Sequence, residues 1–287
     1  MKRILRISCA LVFIVLTIGV SCTKNTNPAP PNHQIPSPSP DTAVNLSKGL
    51  LLYLPFSGNI ADSSGNNNPT TAVGNVLGYD AHGYANNAFN STGNGERIYV
   101  TNNGSIKFDT AFTLSFGFSV NVNKQQSYIS MVDPATGRGP SFNIGNTYPY
   151  NTGLFCMGIG DSTLGCGNYG EINDYNIVDT SSWQPVPGAW YSCIAIYHKG
   201  ALDIYINGVL MLHRQGQGHQ ALCCPASKIV VGSWWDGSPA NQVMNLNGKM
   251  DNLRLYNRVI TPHEIATLAS SYQVTSNRYN PQLKTNQ

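Results

Sequence analysis

The chain has 287 residues, of which 41% are hydrophobic, with 15 Tyr, 9 Phe and 4 Trp, enough to bury a sizeable core in one large domain with appendages. Charged residues make up only 11%, against roughly 25% in an average soluble protein; Gly, Asn, Ser and Thr fill the gap, which suits short strands and many turns. Three of the 17 basic residues, Lys2, Arg3 and Arg6, precede Cys22, so from there on 14 Lys+Arg face 14 Asp+Glu; a neutral chain with no basic cluster has no phosphate-tracking surface, and nucleic acid is not expected as a partner.

Met1–Arg6 is basic, and Ile7–Val20 is an apolar run of 14 residues. That fits the core of an export signal and falls short of the roughly 20 residues of a spanning helix. The run ends Gly19-Val20-Ser21-Cys22, which resembles a lipobox, the site where a bacterial lipoprotein is lipidated on Cys and cleaved before it. Gly19 departs from the pattern, where Leu is commoner. The expected organisation is a signal peptide over residues 1–21, then the lipidated Cys22 and a spacer to residue 46. Plain secretion and an uncleaved anchor are the alternatives. Either the periplasm or the outer surface of the envelope suits such a module.

The spacer carries six prolines between Pro28 and Pro40. Proline fixes φ and removes a donor, so the stretch cannot pair into a sheet and is expected to be extended. At ~3.1 Å per residue, Thr23–Leu46 reaches about 70 Å.

From Gly49 on the apolar pattern has period two. Leu50, Leu52, Leu54 and Phe56 alternate, as do Phe112, Leu114, Phe116 and Phe118, and alternation of that kind marks half-buried strands. Trp190–Tyr197 and Leu202–Ile206 follow, with Asn207-Gly208 as a tight hairpin turn into Val209–Leu212, because Asn-Gly takes positive φ at little cost. Ile229–Val231 and Met250–Tyr256 complete the strands. One helix is expected over Thr261–Tyr272, with Thr261 as N-cap, Pro262 at the first position and Glu264 closing a capping box. The expected fold is all-β, a two-sheet antiparallel jelly-roll sandwich over residues 47–273 with one short C-terminal helix, followed by a tail over 274–287.

Leu51–Gly65, Phe112–Val120, Trp190–Gly208 and Gly248–Leu268 resemble, in that order, the laminin-G-like domain of the concanavalin A-like lectin/glucanase superfamily. Gly117 departs from that family, which often has Trp there. The resemblance implies a jelly roll of two antiparallel sheets. It also implies a structural Ca²⁺ held by Asp62, in the loop after the first strand, and Asp251, on a terminal strand. Calcium takes six to eight oxygen ligands, which carboxylates and loop carbonyls can supply. The competing reading is that each aspartate only caps a turn.

For glycan binding the natural tool is an exposed aromatic plate beside polar groups. Trp234, Trp235 and Asp236, just past a strand, form one such cluster, and Tyr148 and Tyr150 in a loop form another. The competing reading is that these rings pack the sandwich. Of the later cysteines, Cys156 and Cys166 flank a Gly-rich loop and are the favoured disulfide. Cys193 reads as a buried thiol. Cys223 and Cys224 are too close for an ordinary mutual bridge.

Catalysis is not expected. A glycosidase needs two carboxylates flanking the scissile bond, and the chain has only Glu96, Glu171 and Glu264 as glutamates, without the Glu-x-Asp-x-x-Glu strand of the glucanases. Neither GxSxG nor HExxH occurs. Two functions stand: a membrane-anchored envelope lipoprotein that binds carbohydrate, and a non-catalytic adhesion or scaffold domain that binds a cell-surface protein. A glycoside hydrolase is the distant third.

Overall fold

The computed structural model describes residues 44–108, 110–132, 142–146, 155–160, 171–174, 183–215, 228–234 and 244–272. The expected export signal, Cys22, the proline-rich stretch to residue 43 and the tail lie outside them. Two antiparallel sheets form a sandwich. The first contains β1 (Leu50–Leu54), β3 (Leu77–Gly78), β4 (Ala88–Thr92), β6 (Ala111–Val120), β11 (Tyr191–His198), β12 (Ala201–Ile206), β13 (Val209–Gln215) and β15 (Asn247–Tyr256). Its order is β13-β12-β11-β6-β15-β4-β3, with β1 also paired to β15. The second contains β2 (Thr70–Val73), β5 (Arg97–Thr101), β7 (Gln126–Val132), β8 (Phe142–Asn146), β9 (Phe155–Gly160), β10 (Glu171–Asp174) and β14 (Lys228–Val231). It runs β10-β9-β8-β7-β14-β5-β2.

The period-two pattern explains the core. Phe112, Leu114, Phe116 and Phe118 of β6 face inward with Leu253 and Leu255 of β15, and meet Ile98, Val100, Met131, Phe142, Ile144 and Ile229 from the second sheet. Aromatic rings fill the layer, with Phe118 5.1 Å from Tyr128 and Phe112 5.5 Å from Phe142 between centroids. The Asn207-Gly208 turn forms as expected, with φ of 51° and 78° at its two residues.

β1 breaks the simple alternation. Its register with β15 shifts between Leu50 and Leu52, so Leu51 and Leu52 both enter the core while Leu50 turns to the other face. A bulge of this kind flips the parity of everything before it.

Helix α1 (Pro262–Ser270) begins at Thr261 with the full capping box. It packs Ile265 and Leu268 against Ile194, Ile196, Tyr256 and Ile260 on the outer face of the first sheet. That explains why β11 is buried on both faces, while β15 leaves Lys249, Asn252 and Arg254 half-buried.

Further along this face Trp190 and Tyr272 stack with 6.0 Å between centroids and 9° between planes, beside Ala88. Gly117 lies directly beneath, because any Cβ there would collide with the Tyr272 ring. The departure from the family at Gly117 is therefore matched by a tyrosine folded over it. Gly117→Ala is expected to cost about 1–3 kcal/mol by overpacking, read as a lowered midpoint in urea with an unchanged slope.

Candidate functional site

Asp62 sits in the loop after β1, along the flank of that strand. Its Oδ1 accepts from the Tyr53 and Ser64 N–H groups at 3.1 and 2.9 Å. Its Oδ2 accepts from Ser64 Oγ, Asn68 N and Asn68 Nδ2 at 3.0, 3.0 and 2.8 Å. The Asn66 and Asn68 side-chain amides donate in turn to the Leu50 and Leu51 carbonyls. The loop thus caps the edge of β1 in place of a neighbouring strand. Burial alone would raise the carboxyl, but the hydrogen bonds from Asn68, Ser64 and Tyr53 outweigh it and hold Asp62 below the usual aspartate value.

Asp251 has different surroundings. It lies on β15 opposite Gly117, 4% exposed, beneath Tyr272. The Tyr272 hydroxyl donates to its Oδ2 at 3.3 Å, while Oδ1 is buried with no partner. Burial pushes the carboxyl up to about 6, hydrogen bonds from Asn252 oppose the rise, and the nearby Asp80 carboxylate adds to it.

The Asp62 carboxylate is committed to its own loop. A carboxylate offers about four lone-pair positions, and those of Asp62 already meet five N–H and O–H donors. The carboxylate that Asp251 senses is Asp80, and Asp80 is itself held by the His82 and Tyr84 N–H groups and by Asn87 Nδ2 at 2.8, 2.9 and 2.7 Å. Among the described residues no group of three His, Cys, Asp or Glu is placed to hold a metal.

Of the aromatic candidates, Trp234 lies in the turn after β14 and is half-buried. Ser130 Oγ donates to the Ser233 carbonyl at 3.2 Å and to the Trp234 carbonyl, which ties this turn down over β7. Trp235, Asp236, Tyr148 and Tyr150 lie outside the described residues, as do Cys166, Cys223 and Cys224. Cys156 is buried on β9. Cys193 is a free buried thiol, and burial pushes its ionisation well up.

The aromatic display that sequence reasoning missed is in the loop from Tyr79 to Tyr84. Tyr79 is 58% and Tyr84 67% exposed, the only aromatic side chains among the described residues to stand out so far. The loop that carries them is closed by hydrogen bonds. Asp80, 6% exposed, takes the two N–H groups named above, Asp80 N donates to the Tyr84 carbonyl at 3.1 Å, and Gly83 supplies the positive φ of 86° that closes the turn. The His82 and Tyr84 rings lie 6.4 Å apart. Tyr-Asp-Ala-His-Gly-Tyr carried a readable signal, an Asp-x-x-Gly turn between two tyrosines.

Two of the three glutamates serve structure. Glu96 accepts from Ser91 Oγ, Thr92 N, Thr92 Oγ1 and Asn94 N. Glu264 closes the helix cap. The side chain of Glu171 is not described.

This architecture is that of a lectin-type jelly roll, with a helix packed on one face and exposed tyrosines carried on a loop. The chain belongs to the concanavalin A-like lectin/glucanases superfamily, whose laminin-G model matches residues 92–266. No curated protein matches it in sequence.

Among solved structures, it is similar to domain 4 of an extracellular arabinanase from Geobacillus stearothermophilus in complex with arabinotriose, at 17% identity and a TM-score of 0.51, over 77% of this chain and 98% of that one. It is also similar to the binding domain of botulinum neurotoxin DC in complex with rat synaptotagmin II, at 18% identity and a TM-score of 0.57, over 79% of this chain and 53% of that one. The binding domain of botulinum neurotoxin serotype D matches at 15% identity and a TM-score of 0.56, over 78% of this chain and 52% of that one. The chain thus spans about half the length of the toxin domains. At these identities the likeness is one of fold, and these neighbours are binding domains, one with a glycan and one with a protein.

Proposed function

We propose that this protein is a non-catalytic carbohydrate-binding module of the bacterial cell envelope, held to the membrane by a lipid on Cys22 and spaced from it by the proline-rich stretch. The observation that carries the reading is the exposed pair Tyr79 and Tyr84 on a loop locked by a buried aspartate. A sugar ring stacks on an aromatic face through its C–H groups, and a rigid plate binds better because little ordering entropy is lost on contact. His82 and the backbone of the same turn supply polar groups beside the plates. Trp234, with Trp235 and Asp236 after it in sequence, is the second candidate plate. The commitment of Glu96 and Glu264 to structural hydrogen bonds supports a binding role over hydrolysis. Calcium is left unassigned, since the Asp62 oxygens accept from Tyr53, Ser64 and Asn68 while one Asp251 oxygen is buried without a partner.

The test is glycan-array binding of the full chain with the Tyr79→Ala, Tyr84→Ala and Trp234→Ala variants. Binding that falls at least tenfold in a tyrosine variant, with the melting temperature unchanged, supports the reading and locates the plate. A loss only in Trp234→Ala moves the plate to the second sheet. Absence of binding to any glycan, together with capture of a purified cell-surface protein, overturns the reading in favour of adhesion.

A further inference from the structure

The turn from Tyr79 to Tyr84 holds a charge that the stacking of a neutral sugar does not use. Asp80 folds into the turn between the two exposed tyrosines. Its Oδ1 accepts from the His82 and Tyr84 N–H groups and its Oδ2 from Asn87 Nδ2. Burial alone would raise the carboxyl, but the bonds from Asn87, Tyr84 and His82 outweigh it and hold Asp80 below the usual aspartate value. It is therefore ionised at neutral pH. All three donors are uncharged, and no lysine or arginine of the described residues is paired with it.

The sequence around the turn is one-sided in charge. No lysine or arginine occurs between Lys48 and Arg97, a stretch that contains Asp62, Asp80 and Glu96. The loop after β1 abuts the turn, with Gly58 N donating to the Asn86 carbonyl at 2.8 Å. On β15, burial and then the Asp80 charge raise the Asp251 carboxyl. The cations of that strand do not answer these acids. Arg254 donates to the Asn252 carbonyl and side-chain oxygens, with its guanidinium carbon 4.0 Å from the Tyr53 ring centre. Lys249 pairs with neither acid. His82, exposed on the turn itself, is the positive group that bears on Asp80 when protonated.

The chain from Cys22 on is formally neutral, so the turn is a local excess of negative charge beside two exposed ring faces. An aromatic face attracts cations, and a fixed carboxylate close by adds to that attraction while repelling anions. Asp80 is too buried to touch a ligand and acts through its field. The Asn86 side-chain amide, exposed on the same loop and without a bond among the described residues, offers a partner to hydroxyls. A sugar that stacks on tyrosine and carries an ammonium group meets all of these together. A uronate or a sulfated sugar meets repulsion instead.

Resting on the carbohydrate-binding reading, we infer that Tyr79, Asp80 and Tyr84 form a subsite for cationic amino sugars. Three probes isolate the charge. The glucosamine hexamer, the N-acetylglucosamine hexamer and cellohexaose share one backbone and differ at one ring position, as ammonium, acetamide and hydroxyl. The full chain is titrated with each at neutral pH, and with oligogalacturonate as the acidic counterpart.

The expected result is binding of the glucosamine hexamer at least tenfold tighter than of either uncharged hexamer. That binding weakens between about 50 and 300 mM salt as the charges are screened, and is lost in at least one of Tyr79→Ala and Tyr84→Ala. In Asp80→Asn, whose side-chain oxygen can still accept from the two N–H groups, the preference falls to near one. Adding Asn87→Asp places the carboxylate at the other end of the same hydrogen bond, and the preference returns with it. The double variant also decides the case in which Asp80→Asn loses all binding by disturbing the turn. A preference regained there supports the inference, and its absence overturns it. Equal affinity for the three hexamers, a preference that persists in Asp80→Asn or in both tyrosine variants, or oligogalacturonate bound as tightly as the amine overturns the inference and leaves the glycan reading standing. So does a glucosamine hexamer that fails to bind while other glycans on the array do. Failure of every hexamer, with a blank glycan array, overturns both.

Discussion

Arg258→Ala is expected to destabilise the domain at neutral pH by about 3–5 kcal/mol, the usual cost of leaving a buried charge without its partner. Arg258 lies just past β15 and reaches four groups. Its terminal nitrogens grip Glu264 at 2.7 and 2.8 Å. The same guanidinium donates to the Lys48, Asn45 and Val259 carbonyls at 2.6, 2.9 and 3.2 Å. Glu264 also accepts from Thr261 N at 2.8 Å and Asn45 N at 3.2 Å, and it is only 2% exposed.

One ion pair therefore joins the end of the last strand, the start of the helix and the chain just before β1. Burial pushes the Glu264 carboxyl up, and the hydrogen bonds from Arg258, Thr261 and Asn45 more than offset that, holding it below the usual glutamate value. A depressed carboxylate supplies stability that is present above its unfolded value and lost as pH falls through the folded one. The gap between parent and variant is accordingly widest near pH 7 and closes below about pH 4. Urea denaturation at both pH values checks this. Adding Glu264→Gln to Arg258→Ala should recover part of the loss, because the stranded group is then neutral. A gap below about 0.5 kcal/mol, the usual effect of a surface substitution, would mean that the pair stabilises nothing.

The share of this that was legible in the chain follows from range. The helix start is local chemistry, and Thr261, Pro262 and Glu264 announced the capping box that forms. Arg258 carried no such signal, since its partners at Asn45 and Lys48 lie more than 200 positions away. The strands rich in alternating apolar residues, such as β6 and β12, were readable. β2, β4 and β5 were not, because their outward residues are threonines, asparagine, arginine and tyrosine and their inward residues too few to show a period. The bulge at Leu51 could not be seen either, for Leu50, Leu52 and Leu54 alternate on paper and only pairing with β15 reveals the shift. At the candidate site, Asp62 was recognised as a loop organiser or a ligand, and choosing between them required knowing where five donors point. Tyr79 and Tyr84 were passed over although an Asp-x-x-Gly turn lies between them, because their exposure is set by packing at long range.

Asp251→Asn, by contrast, is expected to stabilise the protein by about 3 kcal/mol at pH 8, because burial raises the carboxyl to about 6 and each tenfold weakening of an acid is worth about 1.36 kcal/mol. The side chain is buried under the Tyr272 ring with one oxygen unpartnered, and in the same cross-strand row, beyond Gly117, the Ser192 hydroxyl is likewise buried without a partner. Ionising the acid in that setting is costly because burial strips the charge of its hydration, the largest cause of the raised value. A carboxyl whose folded value is raised contributes stability that is fully present below its unfolded value and lost as pH rises through the folded one. The parent should therefore weaken between about pH 4 and 7 at this site, while the Asn variant, which cannot ionise, keeps a flat profile there and can still accept from the Tyr272 hydroxyl. Thermal melts of the two proteins across that range, with and without a chelator, decide the matter. Convergence at pH 4 with the variant ahead at pH 8, and indifference to the chelator, means that Asp251 is a strained buried acid. A variant that is less stable than the parent at pH 8 and no longer responds to chelator would mean that the carboxylate serves a cation after all, and would return Asp251 to the role that the family resemblance implied.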